Sequence, residues 1–111
     1  MGVQLTKAGD KLICLIYKEY LSRRKDGEDK RKAKDFANPF AWPDSMLQNF
    51  PRDDISDTLP ELKHAGLIDL YIHDGFQLKD EAIVYMEQRF PEGVASVLDW
   101  LSKIKDAIPF A

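Results

Sequence analysis

Apolar residues recur at spacings of three and four over most of the chain, and that rhythm is broken by a charged stretch near residue 30 and by a short alternating stretch bounded by glycines. Leu12, Ile13, Leu15, Ile16, Tyr17, Tyr20 and Leu21 cover a broad face of a predicted first helix, capped by Thr6 or Asp10 and running to about Arg24. Residues 25–41 carry Gly27, Asn38 and Pro39 among many charges and no helical stripe, so a long loop is expected there. Phe36, Phe40 and Trp42 should pin its far end to the body or line a pocket with Phe50. Asp44 is expected to cap a short second helix through Asn49, with Trp42 stapled to its first turn and Pro51 as its stop. Ile55, Leu59 and Leu62 then share one face of a third helix. Pro60 costs least in a first turn, which favours a short or bent helix capped by Asp57 or Thr58, with Glu61 completing a capping box. Gly66 ends it, and Leu67, Ile68, Leu70 and Ile72 read as a strand. Asp74-Gly75 supplies a hairpin turn with positive φ, and Phe76 and Leu78 return along a second strand. Asp80 caps a fourth helix carrying Ile83, Met86 and Phe90, which stops at Pro91. Residues 93–108 form a fifth, striped by Val94, Val97, Leu98, Leu101, Ile104 and Ile108.

Composition narrows the class. At 111 residues and 44% apolar content, one domain with one modest core is expected. A formal net charge of -3 excludes a chain coated in positive charge, so any nucleic-acid contact must come from a local patch. Charge is uneven: cations exceed acids by 3 between Ser22 and Trp42, and acids exceed cations by 3 between Pro43 and Gly66. The single cysteine, Cys14, lies in an apolar run and fits a reduced setting. That run is too short to span a bilayer and nothing resembles a secretory signal, so the expected location is cytoplasmic, away from membranes.

The string Leu62-Lys63-His64-Ala65-Gly66-Leu67-Ile68 through Phe76-Gln77-Leu78-Lys79-Asp80-Glu81 resembles the winged helix-turn-helix superfamily. The resemblance implies a mainly α fold with a small β-hairpin (α+β), a core over about 8–90, a charged insertion at 25–41 and an additional C-terminal helix at about 93–108. The layout is similar to the uncharacterised YjcQ-type winged-helix proteins of bacteria. Leu78-Lys79 and Ala82 depart from the family's usual Leu-Thr and glycine. Many members bind double-stranded DNA and regulate transcription, which implies a bacterial or phage regulator. Its third helix would offer Arg52, Ser56, Lys63 and His64 to the duplex, with Arg23, Arg24, Lys30, Arg31 and Lys32 on the phosphates. Related regulators pair through an appended helix, so Val94, Val97, Leu98, Leu101, Ile104 and Ile108 are expected to form a homodimer seam.

The charges of the third helix point elsewhere. Asp53, Asp54, Asp57 and Glu61 would meet the like charge of a phosphate backbone, whose neutralisation supplies most non-specific affinity. Those four acids suit a basic protein surface, so a protein–protein adaptor on the same fold is the rival expectation. His64, His73 and Cys14 have no metal-ligand spacing, and no cofactor motif is present. Carboxylate pairs such as Asp53-Asp54 and Asp80-Glu81 fall at helix starts, where the dipole favours them, so no enzyme is expected.

Overall fold

A computed structural model of the protein describes residues 3–104. Its centre is α1 (Lys7–Lys25), whose cap is Thr6: the Thr6 hydroxyl accepts from the Gly9 N–H at 3.1 Å. Every residue from Lys11 to Tyr17 is buried, because α3, α4 and α6 pack around this helix. An all-round buried helix needs apolar residues on every side, which the run Leu12 to Tyr17 supplies.

Residues expected as a loop instead build structure. A short helix, α2 (Lys30–Ala33), is capped by Asp29, whose carboxylate accepts from the Lys32 N–H at 2.8 Å. A two-residue strand, β1 (Asp35–Phe36), follows, and then a 3-10 turn over Pro39–Ala41. Phe36 anchors the strand, stacking on Phe76 at 4.9 Å with the rings 3° from parallel, while the Arg23 guanidinium covers its other side at 4.3 Å. Two residues cannot display a period, and the strand is held by these contacts.

Helices α3 (Asp44–Asn49) and α4 (Arg52–His64) come next, then β2 (Ile68–Leu70), β3 (Phe76–Leu78), α5 (Asp80–Arg89) and α6 (Val94–Ile104). The strands form one antiparallel sheet in the order β1-β3-β2, with Phe36 opposite Phe76 and Ile68 opposite Leu78. The architecture is mainly helical with a small three-stranded antiparallel sheet. Ile55, Leu59 and Leu62 of α4 are fully buried beside Phe76 and Leu78 in one continuous core.

Several local expectations are corrected. The third predicted helix, α4, starts at Arg52 rather than at Asp57 or Thr58, and Pro60 lies inside it. Proline there removes one backbone donor, a cost of about 3 kcal/mol. Pro60 is exposed and can leave its orphaned acceptor to water, while the buried Leu59 and Leu62 flank it. Glu61 makes no capping box with Thr58. It reaches the start of α1, accepting from the Thr6 N–H and hydroxyl at 2.6 Å each, in a position where a side chain at Gly9 would collide with it. Asp44 and Asp80 are the first helical residues and not caps; Pro43 and Lys79 hold those positions. Positive φ in the β2–β3 turn falls on His73 (64°) and Asp74 (69°), not on Gly75. Gly75 is needed for a different reason: a Cβ there would run into the Ala37 carbonyl oxygen.

The C-terminal helix docks on α1 within the same chain. Val97 is fully buried and Trp100 lies half-buried on the core, its indole N–H donating to Asp10 at 2.9 Å. Arg89 grips the same carboxylate through both terminal nitrogens, one at 2.8 Å, and its guanidinium lies 5.0 Å from the Trp100 ring. The expected dimer seam is therefore divided. Val97 faces inward, Leu101 is half-buried, and Val94 and Leu98 keep 41% and 46% of their surface exposed. Ile108 and the side chain of Ile104 lie outside the described residues.

Candidate functional site

The residues expected on DNA are not brought together. Arg23 is half-buried and consumed by the fold, bonded to Glu19 at 3.0 Å and to the Asp35 carbonyl at 2.7 Å. Arg52 donates to the Pro39 carbonyl at 2.9 Å and covers the Trp42 ring at 5.0 Å. Ser56 donates its hydroxyl to Asp74 across the β2–β3 turn. Lys30 sits 3.4 Å from Asp80, which also holds Lys34 at 3.0 Å, and Arg24 donates to the Glu28 carbonyl at 3.1 Å. Those two lysines hold the Asp80 carboxyl below its ordinary pKa, the hydrogen bond from Lys34 contributing most. Lys63, His64, Arg31 and Lys32 are exposed.

Arg52 and the cations of α2 thus lie at opposite ends of the sheet, while Lys63 and His64 end α4 just before β2, whose Ile68 pairs with Leu78 at the α2 end. Helix α2 joins the far end of β3, where the Leu78 N–H donates to the Lys34 carbonyl at 2.9 Å. Arg52 and Ser56 attach to the other end, near Gly75, and the three residues between span roughly 10 Å of strand. On α4 the solvent face at the helical repeat is Asp53, Asp57, Pro60 and His64, with Glu61 withdrawn to α1.

What the fold does assemble at that second end is apolar. The 3-10 turn and the β2–β3 turn stand side by side, with a groove of about 530 Å³ between them lined by Ala37, Asn38, Pro39, Phe40, Arg52, His73 and Asp74. Phe40 is 93% exposed and Ile72 82%, with Tyr71 at 45%. Both turns are tied down. The Asn38 side chain accepts from the Phe40 N–H at 3.0 Å, and the Tyr71 N–H donates to the Gly75 carbonyl at 2.7 Å. Phe36, Trp42 and Phe50, expected to group with Phe40, are buried, whereas Phe40 is not.

A second depression of about 380 Å³, lined by Lys18, Leu21, Ser22, Lys25 and Val94, separates α1 from α6. Cys14 is fully buried, and burial pushes its thiol pKa up to about 12, with Asp10 adding to the shift, so it stays protonated and unreactive near neutral pH. Among the described residues no three His, Cys, Asp or Glu side chains could hold a metal ion, and no helix is long and apolar enough to cross a membrane. No family model, curated protein or solved structure matches this chain.

Periodicity missed Phe40 and Ile72 as site residues. Ile72 reads as the end of a strand and Phe40 as an anchor of the loop or a member of an aromatic pocket, and the signal to the contrary is their position beside Asn38-Pro39 and Asp74-Gly75, where the chain turns.

Proposed function

We propose that the chain is a winged helix-turn-helix module of the bacterial or phage regulatory type that works by docking on another protein. The succession of helix, strand, two helices and a two-stranded hairpin supports that fold reading, with α4 as the third helix and the β2–β3 turn as the wing. The observation that carries the functional reading is the exposed pair Phe40 and Ile72 on two pinned turns. Burying a side chain of either kind is worth about 1.5–3 kcal/mol, which the isolated chain forgoes and a partner would recover. Exposed apolar clusters rimmed by polar groups mark interaction surfaces. The acidic face of α4 beside them repels phosphate and suits a basic protein surface.

A photo-crosslinking side chain placed at position 40, and separately at Val84 on α5 as an exposed apolar control, tests this in cells. The expected result is protein adducts of discrete mass from position 40 alone. Equal yields from both positions, or none, would overturn it.

A second reading rests on Arg24, Lys25, Arg31 and Lys32, exposed within one short stretch at the other end of the sheet. Their role there would be to hold phosphates, with α4 turned to DNA as in the regulators that the fold resembles. Binding to random duplex DNA would then fall steeply as salt rises, through counterion release. No binding at low salt would exclude it.

A further inference from the structure

We propose that the furrow between α1 and α6 receives an amphipathic helix of a partner protein, one that carries an apolar stripe and, beside it, acids seven residues apart. This shares the reading of the chain as a protein-docking module but uses none of the residues of the Phe40 corner. The furrow is built from two depressions that meet at Lys18. One, of about 200 Å³, sets Lys11, Leu15 and Lys18 against Leu98 and Leu101; the other, of about 380 Å³, sets Lys18, Leu21 and Lys25 against Val94. Helix α6 therefore runs back along α1, and the furrow follows α1 from Lys11 to Lys25, roughly 21 Å at the helical rise. Its apolar lining is partly uncovered: Leu15 is buried, while Val94 and Leu98 stay exposed. An open channel of that length between two helices takes the apolar face of a third.

The charge of the occupant follows from the same lining, which among the described residues includes three lysines and no carboxylate. Lys11 lies over the Phe50 ring, 5.9 Å from its centroid, but the ammonium groups of Lys18 and Lys25 are paired with no carboxylate among the described residues. Glu19 and Asp99, the acids next in sequence to Lys18 and Leu98, bond Arg23 and Lys103 at 3.0 Å each. Lys18 and Lys25 are seven residues apart, about 10 Å along the helix, which is the repeat at which an incoming helix shows the same face again. Acids at that repeat meet both lysines at once. An acyl chain with a single anionic head would satisfy one lysine and lay its tail against the other. A DNA backbone would match the charge and leave Val94, Leu98 and Leu101 bare. A second copy docking through the same furrow would bring lysine against lysine.

A displayed library of helical peptides of about eighteen residues, with leucine fixed at three- and four-residue spacing and the flanking positions random, is panned on the full chain. The expected flanks are Asp or Glu seven positions apart. Flanks rich in Lys or Arg, or no enrichment, would overturn the proposal. A synthetic peptide of the selected sequence should bind the protein carrying both Lys18→Glu and Lys25→Glu at least about tenfold more weakly than wild type. The same peptide with its acids changed to Lys should prefer that double variant, a reversal that a merely misfolded protein would not give; its absence would overturn the charge pairing. Leu98→Ser, at an exposed position, should weaken binding about tenfold, and Val84→Ser should bind as wild type. Undiminished binding by the Leu98→Ser protein would overturn the furrow as the site. Displacement of the peptide by random duplex DNA or by palmitate would overturn a helix as the occupant. Sedimentation should show a wild-type monomer; a dimer that Leu98→Ser dissociates would mean that a second copy fills the furrow and would overturn the acidic partner. Peptide binding by a chain that gives no adduct at position 40 would overturn the Phe40 reading alone, and adducts at position 40 without peptide enrichment would overturn this one alone.

Discussion

Two corners of this molecule are cross-linked in the same way and finished differently. Beside the start of α1, Asp10 joins Arg89 of α5 and Trp100 of α6, and the aromatic ring is folded down onto the core. At the other corner Ser56 joins α4 to Asp74, Arg52 joins it to Pro39, and the apolar side chains Phe40 and Ile72 point away from the core. The first arrangement closes a seam. The second fixes a shape and leaves its apolar surface open, which a fold gains nothing from unless something else covers it. Polar ties between elements are thus a poor guide to function by themselves; what the neighbouring apolar groups do separates the two cases.

Substitutions can break this contrast at several depths. Arg89→Ala leaves the half-buried Asp10 carboxylate without its partner and should cost about 3 kcal/mol in urea unfolding, the low end of what breaking such pairs costs. A loss below about 1 kcal/mol would show that the seam is held without the ion pair, by Val97 packing and by Trp100 with its bond to Asp10. At the open corner, Gly75→Ala forces a methyl group against the Ala37 carbonyl and should cost about 2 kcal/mol. The same change should alter amide shifts in both turns, because it pushes them apart. Ser56→Ala should cost about 1 kcal/mol and speed hydrogen exchange at the Tyr71 amide, which closes the same turn, without affecting Trp100. The smallest effect is at Asp80, whose pKa Lys34 and Lys30 hold below the ordinary value. Its contribution is present above about pH 4 and is lost as pH falls through that lowered pKa. Lys34→Met should return the carboxyl toward its ordinary titration, read by NMR.

The helical part of this fold was legible because long amphipathic stripes repeat enough to be recognised. Ile55, Leu59 and Leu62 mark α4, Ile83 and Met86 mark α5, and Val97 with Trp100 marks α6. Short or non-local features were not. Strand β1 has two residues and exists through Phe36 on Phe76 and Arg23 on Phe36, pairs far apart in sequence. The extent of α4 past Pro60 is a tertiary override of local preference, since Leu59 and Leu62 are buried only if the helix continues. Glu61 looked like a local cap because its true partner, Thr6, lies 55 residues away. The site was hidden for a related reason. Phenylalanine and isoleucine are ordinary core residues, and only the placement of Asn38-Pro39 against the β2–β3 turn turns Phe40 and Ile72 outward. The acidity of α4, by contrast, was visible in the sequence, and the structure sharpened it by removing Glu61 from the exposed set and leaving Asp53 and Asp57.

The most direct test is the crosslinking comparison of position 40 with Val84, made on the full chain in cells. The account predicts protein adducts of discrete mass from position 40 and none from Val84. Equal yields from the two positions, or DNA adducts in place of protein, would contradict it.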